Sequence, residues 1–136
     1  MRHWLMKTEP ETFSWDDLVL AGRTAWDGVR NYLARNNMRE MSVGDLAFIY
    51  YSVKERAIVG IARVVATAHQ DPSTDDPRWE CVDVAPVRLL SRRVSLDAVK
   101  ADPALSQMVL VRSSRLSVQP VTEAEWTRVL ELAGDA

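Results

Sequence analysis

The stretch Trp26-Asp27-Gly28-Val29-Arg30-Asn31-Tyr32-Leu33-Ala34-Arg35-Asn36-Asn37-Met38-Arg39-Glu40-Met41 departs furthest from generic core sequence, and the rest of the chain reads outward from it. A large aromatic precedes Gly28, the residue type most able to adopt positive φ, and a polar helical segment follows. With Asn31 as cap, Ala34, Met38 and Met41 recur at helical spacing on one face, while Tyr32, Arg35, Asn36 and Arg39 line a neighbouring face. One face packs and the other is left free to bind. The first-turn N–H groups of a helix lack internal acceptors, so the turn at 28–31 is expected to aim donors at an anionic or carbonyl-like group beside Trp26. The competing reading of the same residues is a tryptophan that anchors the core and arginines that are merely solvated.

At 136 residues and 47% hydrophobic content, the chain can bury one substantial core, and a single domain over 1–136 is expected. Seventeen basic against nineteen acidic residues give a net charge of −2, which excludes the global basic field that coats duplex nucleic acid unselectively. Any nucleic-acid binding has to be local. Arginines cluster at 30, 35 and 39, at 88, 92 and 93, and at 112 and 115, whereas acids gather between Asp71 and Asp83. Cys81 is alone and His3 and His69 are far apart, so neither a disulfide framework nor a zinc-ligand spacing is present. A reducing, cytoplasmic location, no metal, no cofactor and a monomer are the expectations. The N-terminal residues lack the apolar run of a signal peptide, and no segment approaches the roughly 20 apolar residues of a membrane span.

Along the chain, residues 3–8 read as a strand closed by Glu9-Pro10, which leaves Lys7, Thr8, Glu9 and Pro10 at a rigid strand end. Ser14 and Asp17 have capping-box spacing, with Phe13 and Leu18 as a hydrophobic staple, and Gly22 ends the helix that begins at Trp15. A turn at 42–45 leads into a strand over 46–53, apolar on both faces and therefore central, with Tyr50 and Ser52 toward its end. A polar hairpin at 54–56 joins it to another buried strand over 57–68. Residues 69–78 have loop composition and are assigned no chemistry; a metal site on their aspartates is disfavoured. Strand character resumes over 79–90, with Pro86 implying an edge or a bulge. Ser95 caps a helix to about Ala101, Asp102-Pro103 breaks it, and 109–111 is short and apolar. Residues 112–121 form one irregular polar stretch, and Thr122 with Glu125 caps a last helix packed through Trp126, Val129, Leu130 and Ala133. Five or six strands interleaved with short helices predict an α+β mixed sheet curled into a partly open barrel.

Several of these stretches, in this order, resemble the EVE domain family of the PUA-like superfamily, which also holds the YTH readers of methylated RNA. They are Trp4-Leu5-Met6-Lys7-Thr8-Glu9-Pro10, residues 26–32 and 34–41, Gly44-Asp45, Tyr50, Ser52 and Arg115-Leu116-Ser117-Val118-Gln119-Pro120-Val121. The likeness spans nearly the whole chain. Thr8 stands where serine is usual and keeps the hydroxyl, Leu33 where glutamine is common, and Tyr51 where histidine often follows the strand tyrosine. The resemblance implies a PUA-type pseudo-barrel with an aromatic pocket for an extruded, modified nucleobase of DNA or RNA. Trp26 would stack on the base, Lys7, Thr8 and Pro10 would form one wall, and Tyr50 and Ser52 would add polar or aromatic contact. Gly28, Val29, Arg30 and Asn31 would supply hydrogen bonds, and Arg115, Leu116 and Ser117 would close the far side.

A flipped base offers a π face and hydrogen-bonding edges, so a reader needs an aromatic platform and a few fixed polar groups. The leading expectation is therefore a non-enzymatic nucleic-acid-binding module, with Arg35 and Arg39 contacting phosphates. On that reading Trp26→Ala abolishes base binding and leaves the fold intact, and Arg39→Ala weakens binding to all sequences. A small nuclease or hydrolase using Lys7, Glu9 or Tyr50 is the alternative, although no histidine, cysteine or glycine-loop motif supports it. A sensor of free small ligands in the same cavity is the third.

Overall fold

Two periodicities in the sequence, alternation in the strands and helical spacing in the stretches between them, put apolar side chains on both sides of one sheet. The computed structural model describes residues 1–135. In chain order its elements are β1 (His3–Thr8), α1 (Trp15–Ala21), β2 (Thr24–Ala25), α2 (Tyr32–Arg39), β3 (Leu46–Tyr51), β4 (Ala57–Gln70) and β5 (Glu80–Ser95). Then come α3 (Leu96–Ala101), a 3-10 turn (Pro103–Leu105), α4 (Val109–Arg112), β6 (Val118–Val121) and α5 (Glu123–Ala133). The expected α+β mixed sheet forms, with strand order β2-β5-β4-β3-β1-β6; β1 runs parallel to β3, and the other pairs are antiparallel.

Alternation explains why neither face of the central strands is polar. Trp4, Met6, Ile49 and Tyr51 point into a core shared with Trp15 and Leu18 of α1, Ala34 and Met38 of α2, and Trp26. Leu5, Phe48 and Tyr50 point into the opposite core with Val99, Leu110, Trp126 and Val129 from α3, α4 and α5. Trp126 is sandwiched between Phe48 and His3, with ring centroids 3.8 and 4.4 Å away. The caps read from sequence are formed. Ser14 with Asp17 and Thr122 with Glu125 make reciprocal capping boxes, and Asn31 and Ser95 accept from Ala34 and Ala98. Pro86 pairs with Ala62 where the β4–β5 register shifts, beyond the reach of the two-residue β2, so the bulge it implied is present.

Three local expectations change. β4 and β5 run further than periodicity suggested, because their successive register shifts let two long strands bend around the core without losing their pairing. Residues 109–112 form a helical turn, and 118–121, read as part of an irregular stretch, form edge strand β6 on β1. Gln119 is fully buried there, since its amide nitrogen donates to the Leu116 carbonyl at 2.8 Å. The short β2 carried no sequence signal.

At Gly60 of β4 the Trp15 ring lies directly on the backbone, and an added Cβ would come within 2.5 Å of Trp15 Cζ3. Gly60→Ala is therefore expected to lower stability by about 1–3 kcal/mol through overpacking. Thermal unfolding checks it, and an unchanged midpoint would mean that the indole is not seated on that strand.

Candidate functional site

Because β1 and β3 are parallel and in register, with Lys7 opposite Tyr50 and Thr8 opposite Tyr51, their carboxyl ends open on the same side of the sheet. The hairpin after β3, the turn after β2, the loop before β6 and the ends of α3 and α4 surround that opening. Together they enclose a cleft of about 940 Å³, within the range of small-molecule sites. The space beside Trp26 is open.

The cleft brings together Lys7, Thr8, Trp26, Gly28, Val29, Arg30, Tyr50, Ser52, Arg115 and Ser117. Three expected members lie elsewhere. Asn31 and Leu116 border a shallower neighbouring depression, and Pro10 lines neither. The Asn31 side chain serves as the cap of α2, accepting from the Ala34 N–H at 2.9 Å. Sequence reasoning missed Phe13, Arg56 and Lys100, which also line the cleft.

Trp26 is both core and wall. It is only 7% exposed, its backbone N–H donates to the Val82 carbonyl at 2.9 Å, and Phe13 meets its ring edge-on with centroids 6.2 Å apart. The indole edge that reaches the cleft is therefore fixed in advance of any ligand, which reduces the ordering cost of binding. Gly28 has the positive φ expected of it, 77°. Its N–H is not free, however, since it donates to Asp71 Oδ2 at 2.9 Å. The Arg30 guanidinium reaches the same oxygen at 3.0 Å and Ser73 Oγ at 3.1 Å. The donors expected to aim at a ligand are thus partly spent on holding the turn.

Asp71 lies in the segment to which the sequence assigned no chemistry, yet its side chain is 1% exposed. Burial alone would raise its pKa, but hydrogen bonds from the Ser73 hydroxyl and N–H, Arg30 and the Gly28 N–H outweigh that and hold it down at about 2. The local half of this arrangement was legible: an aspartate whose carboxylate accepts from the N–H two residues on is an Asx turn. The partnership with Gly28, 43 residues away, was not.

On the strand side, Lys7 Nζ donates to the Ser114 carbonyl at 2.8 Å and lies 5.8 Å from the Tyr50 ring centroid. Burial pushes the Lys7 ammonium down and the Tyr50 phenol up, the latter opposed by nearby Arg56. The Thr8 hydroxyl donates to Phe13 O at 2.9 Å and the Ser52 hydroxyl to Thr8 O at 3.4 Å. Their lone pairs remain to accept. The loop at 113–117 is held by Lys7 N–H donating to Ser117 O, by Gln119, and by Asn37 Nδ2 donating to Val118 O. The cleft therefore combines aromatic surface with fixed donors and acceptors, and its charged lining is Lys7, Arg30, Arg56, Lys100 and Arg115 against Glu9 and Asp27.

The arginine face of α2 is not free. Tyr32 stacks on Trp79 with centroids 5.0 Å apart, and Arg35 lies over both rings while donating to the Arg78 carbonyl at 2.8 Å. Arg39 is ion-paired with Glu80. The β4–β5 hairpin meets this face through the stacked Tyr32 and Trp79 rings, and Tyr32 itself stays half-exposed. Among the described residues no His, Cys, Asp and Glu cluster suits a metal, and no helix is long and apolar enough to cross a membrane. His3 is stacked on Trp126, His69 Nε2–H donates to the Asp83 carboxylate at 2.7 Å, and burial pushes the Cys81 thiol to about 12. None of the three lines the cleft.

Comparison with known proteins places this geometry among relatives. Human thymocyte nuclear protein 1 is 40% identical over 96% of this chain and 73% of its own length. A crystal structure of a protein from Agrobacterium tumefaciens superposes with a TM-score of 0.97 at 46% identity, covering 98% of this chain and 94% of that one. A crystal structure of the human THYN1 protein in complex with 5-methylcytosine-containing DNA superposes with a TM-score of 0.91 at 38% identity, covering 98% of both chains. The family model of the EVE domain matches residues 2–132, and the chain belongs to that family.

Proposed function

We propose that this protein is a non-enzymatic DNA-binding module, acting as a monomer, that holds an extruded, modified base in the cleft at the ends of β1 and β3. The observation that carries the reading is the open space of about 940 Å³ beside an immobilised indole. The relative solved with 5-methylcytosine-containing DNA supports it. Stacking a base on an aromatic is worth about 1–3 kcal/mol. A buried methyl adds only about 0.8 kcal/mol, roughly fourfold, so the pocket's shape must also hold the unmodified base loosely.

The phosphates that flank an extruded base lie at the mouth of its pocket. Arg56, Lys100 and Arg115 are exposed and line that mouth, whereas Arg35 and Arg39 are engaged by the protein's own hairpin. The phosphate contacts are accordingly assigned to the first group. Titrating oligonucleotides that differ only in cytosine or 5-methylcytosine, at several salt concentrations, tests the reading. Lys100→Ala and Arg115→Ala are each expected to reduce the slope of log K against log salt by about 0.9, the value for one phosphate contact on B-DNA, and Arg39→Ala is expected to leave it unchanged. Equal affinity for the two bases would refute the reading. RNA strands in the same panel decide between the two polymers. Metal-dependent turnover of a strand, lost in Glu9→Ala, would replace binding by catalysis.

A further inference from the structure

The hairpin between β3 and β4 holds backbone that L side chains rarely adopt. Among the described residues only Val53 and Arg56 carry positive φ without being glycine, at 69° and 44°. Val53 is the sharper anomaly, because β-branching makes that region sterically poor. The Lys54 N–H donates to the Ser52 carbonyl at 2.9 Å, which makes Val53 the centre of a γ-turn of the rare positive-φ kind. The turn is braced on every side. Arg56 Nε donates to Val53 O at 3.1 Å, Ser52 N–H to Thr8 O at 2.9 Å and Leu96 N–H to Arg56 O at 2.8 Å, and Lys54 is ion-paired with Glu11.

Glycine would adopt this conformation at no steric cost, yet the position presents a valine that is 59% exposed on the lining of the cleft. With more than half of the residue exposed, burial in the core does not account for the choice of valine. What distinguishes it is a small apolar knuckle on the lining of the cleft, which the cations Arg56 and Lys100 also line. Strain retained at a binding site is a mark of function. An extruded base leaves a gap in the stack it came from, and proteins that unstack a duplex fill such gaps with apolar wedges.

We infer that Val53 is a wedge that enters the base stack of duplex DNA and occupies the place vacated by the extruded base. The inference rests on the proposed base-binding function and specifies its substrate as duplex. The wedge stabilises only the unstacked duplex, so it contributes nothing to a strand whose base is already free. The positive φ then has a use, since it goes with an exposed valine on the cleft lining while the neighbouring Ser52 backbone stays hydrogen-bonded to Thr8 at the end of β1.

The test uses the full chain and two DNA ligands carrying one 5-methylcytosine: a duplex with 2-aminopurine stacked beside the modified base, and the same strand alone. Val53→Gly, which suits the backbone, is expected to lose far less affinity for the single strand than for the duplex. On the duplex it is expected to lose roughly tenfold in affinity, with a smaller rise in 2-aminopurine fluorescence. Val53→Leu, which keeps an apolar knuckle, is expected to restore both signals. Equal loss on duplex and single strand, or no loss on either, overturns the wedge. Failure of the unaltered protein to prefer the modified single strand is a different result: it removes the base-binding reading, and the wedge with it.

Discussion

Replacing Trp26 with alanine is expected to abolish discrimination between modified and unmodified DNA and to destabilise the fold by about 3–5 kcal/mol at the same time. The second effect departs from the expectation drawn from sequence, in which the fold survived the change intact. With 7% of its surface exposed, Trp26 belongs to the core beneath α1 and α2, and Phe13 rests edge-on against it. Alanine would leave a cavity in that core, and the turn that positions Gly28 would lose its anchor. Affinity lost in this variant therefore cannot be assigned to stacking alone. Trp26→Phe separates the two contributions, because phenylalanine retains most of the buried apolar area and a smaller ring at the cleft. It is expected to cost less than about 2 kcal/mol of stability and to weaken binding of the modified base severalfold, a part of the 1–3 kcal/mol that base stacking supplies. Urea unfolding and oligonucleotide titration of both variants provide the measurements. Undiminished modified-base affinity in a folded Trp26→Ala protein would show that the base lies somewhere other than against the indole.

The residues that were legible in advance are those whose role is set by near neighbours in the chain. Gly28 announced its positive φ because an aromatic and a capped helix stand on either side of it. Ser14 and Thr122 announced their helices through the acidic residue three positions on. Alternation in 46–53 placed Tyr50 toward the end of a strand, which in the structure stops at Tyr51, and the family pattern joined it to Lys7, Thr8 and Arg115, which the cleft does bring together. What stayed hidden depends on contacts between distant segments. Nothing in residues 31–41 reveals that Trp79 will stack on Tyr32 or that Glu80 will pair with Arg39. For the same reason the partners of Arg35 and Arg39 went unread, and Lys100, on a helix far along the chain, was not named among the residues that line the cleft. The loop at 69–78 is polar in composition, as surface loops are, and composition gives no sign that its first aspartate turns inward.

That aspartate carries the other large effect. Asp71→Asn is expected to lower stability at neutral pH by about 2 kcal/mol, the free-energy equivalent of holding its carboxyl near 2 in place of the ordinary carboxylate value. The pH dependence follows from the sign of that shift. A carboxylate with a depressed folded-state pKa stabilises the protein fully above its unfolded-state value, near 4, and the contribution is lost as pH falls from there through about 2. The gap between the unaltered protein and Asp71→Asn should therefore be constant from pH 7 to about 5 and close toward pH 2, where the aspartate itself becomes neutral. The part owed to Arg30, whose side chain is 39% exposed, is screened by solvent and salt; the part owed to the Gly28 and Ser73 N–H groups is not. High salt should consequently leave most of the gap in place. The same substitution frees the Gly28 turn, so modified-base affinity is expected to fall with stability even though the Asp71 side chain is buried and does not line the cleft. Urea denaturation of the two proteins at a series of pH values, paired with binding at pH 7, separates this from a generic surface charge effect. A gap that persists undiminished to pH 2 would show that the carboxylate charge is not what the substitution removes, and one that disappears in salt at pH 7 would show that a screened ion pair holds the turn and that the buried hydrogen bonds from Gly28 and Ser73 do not.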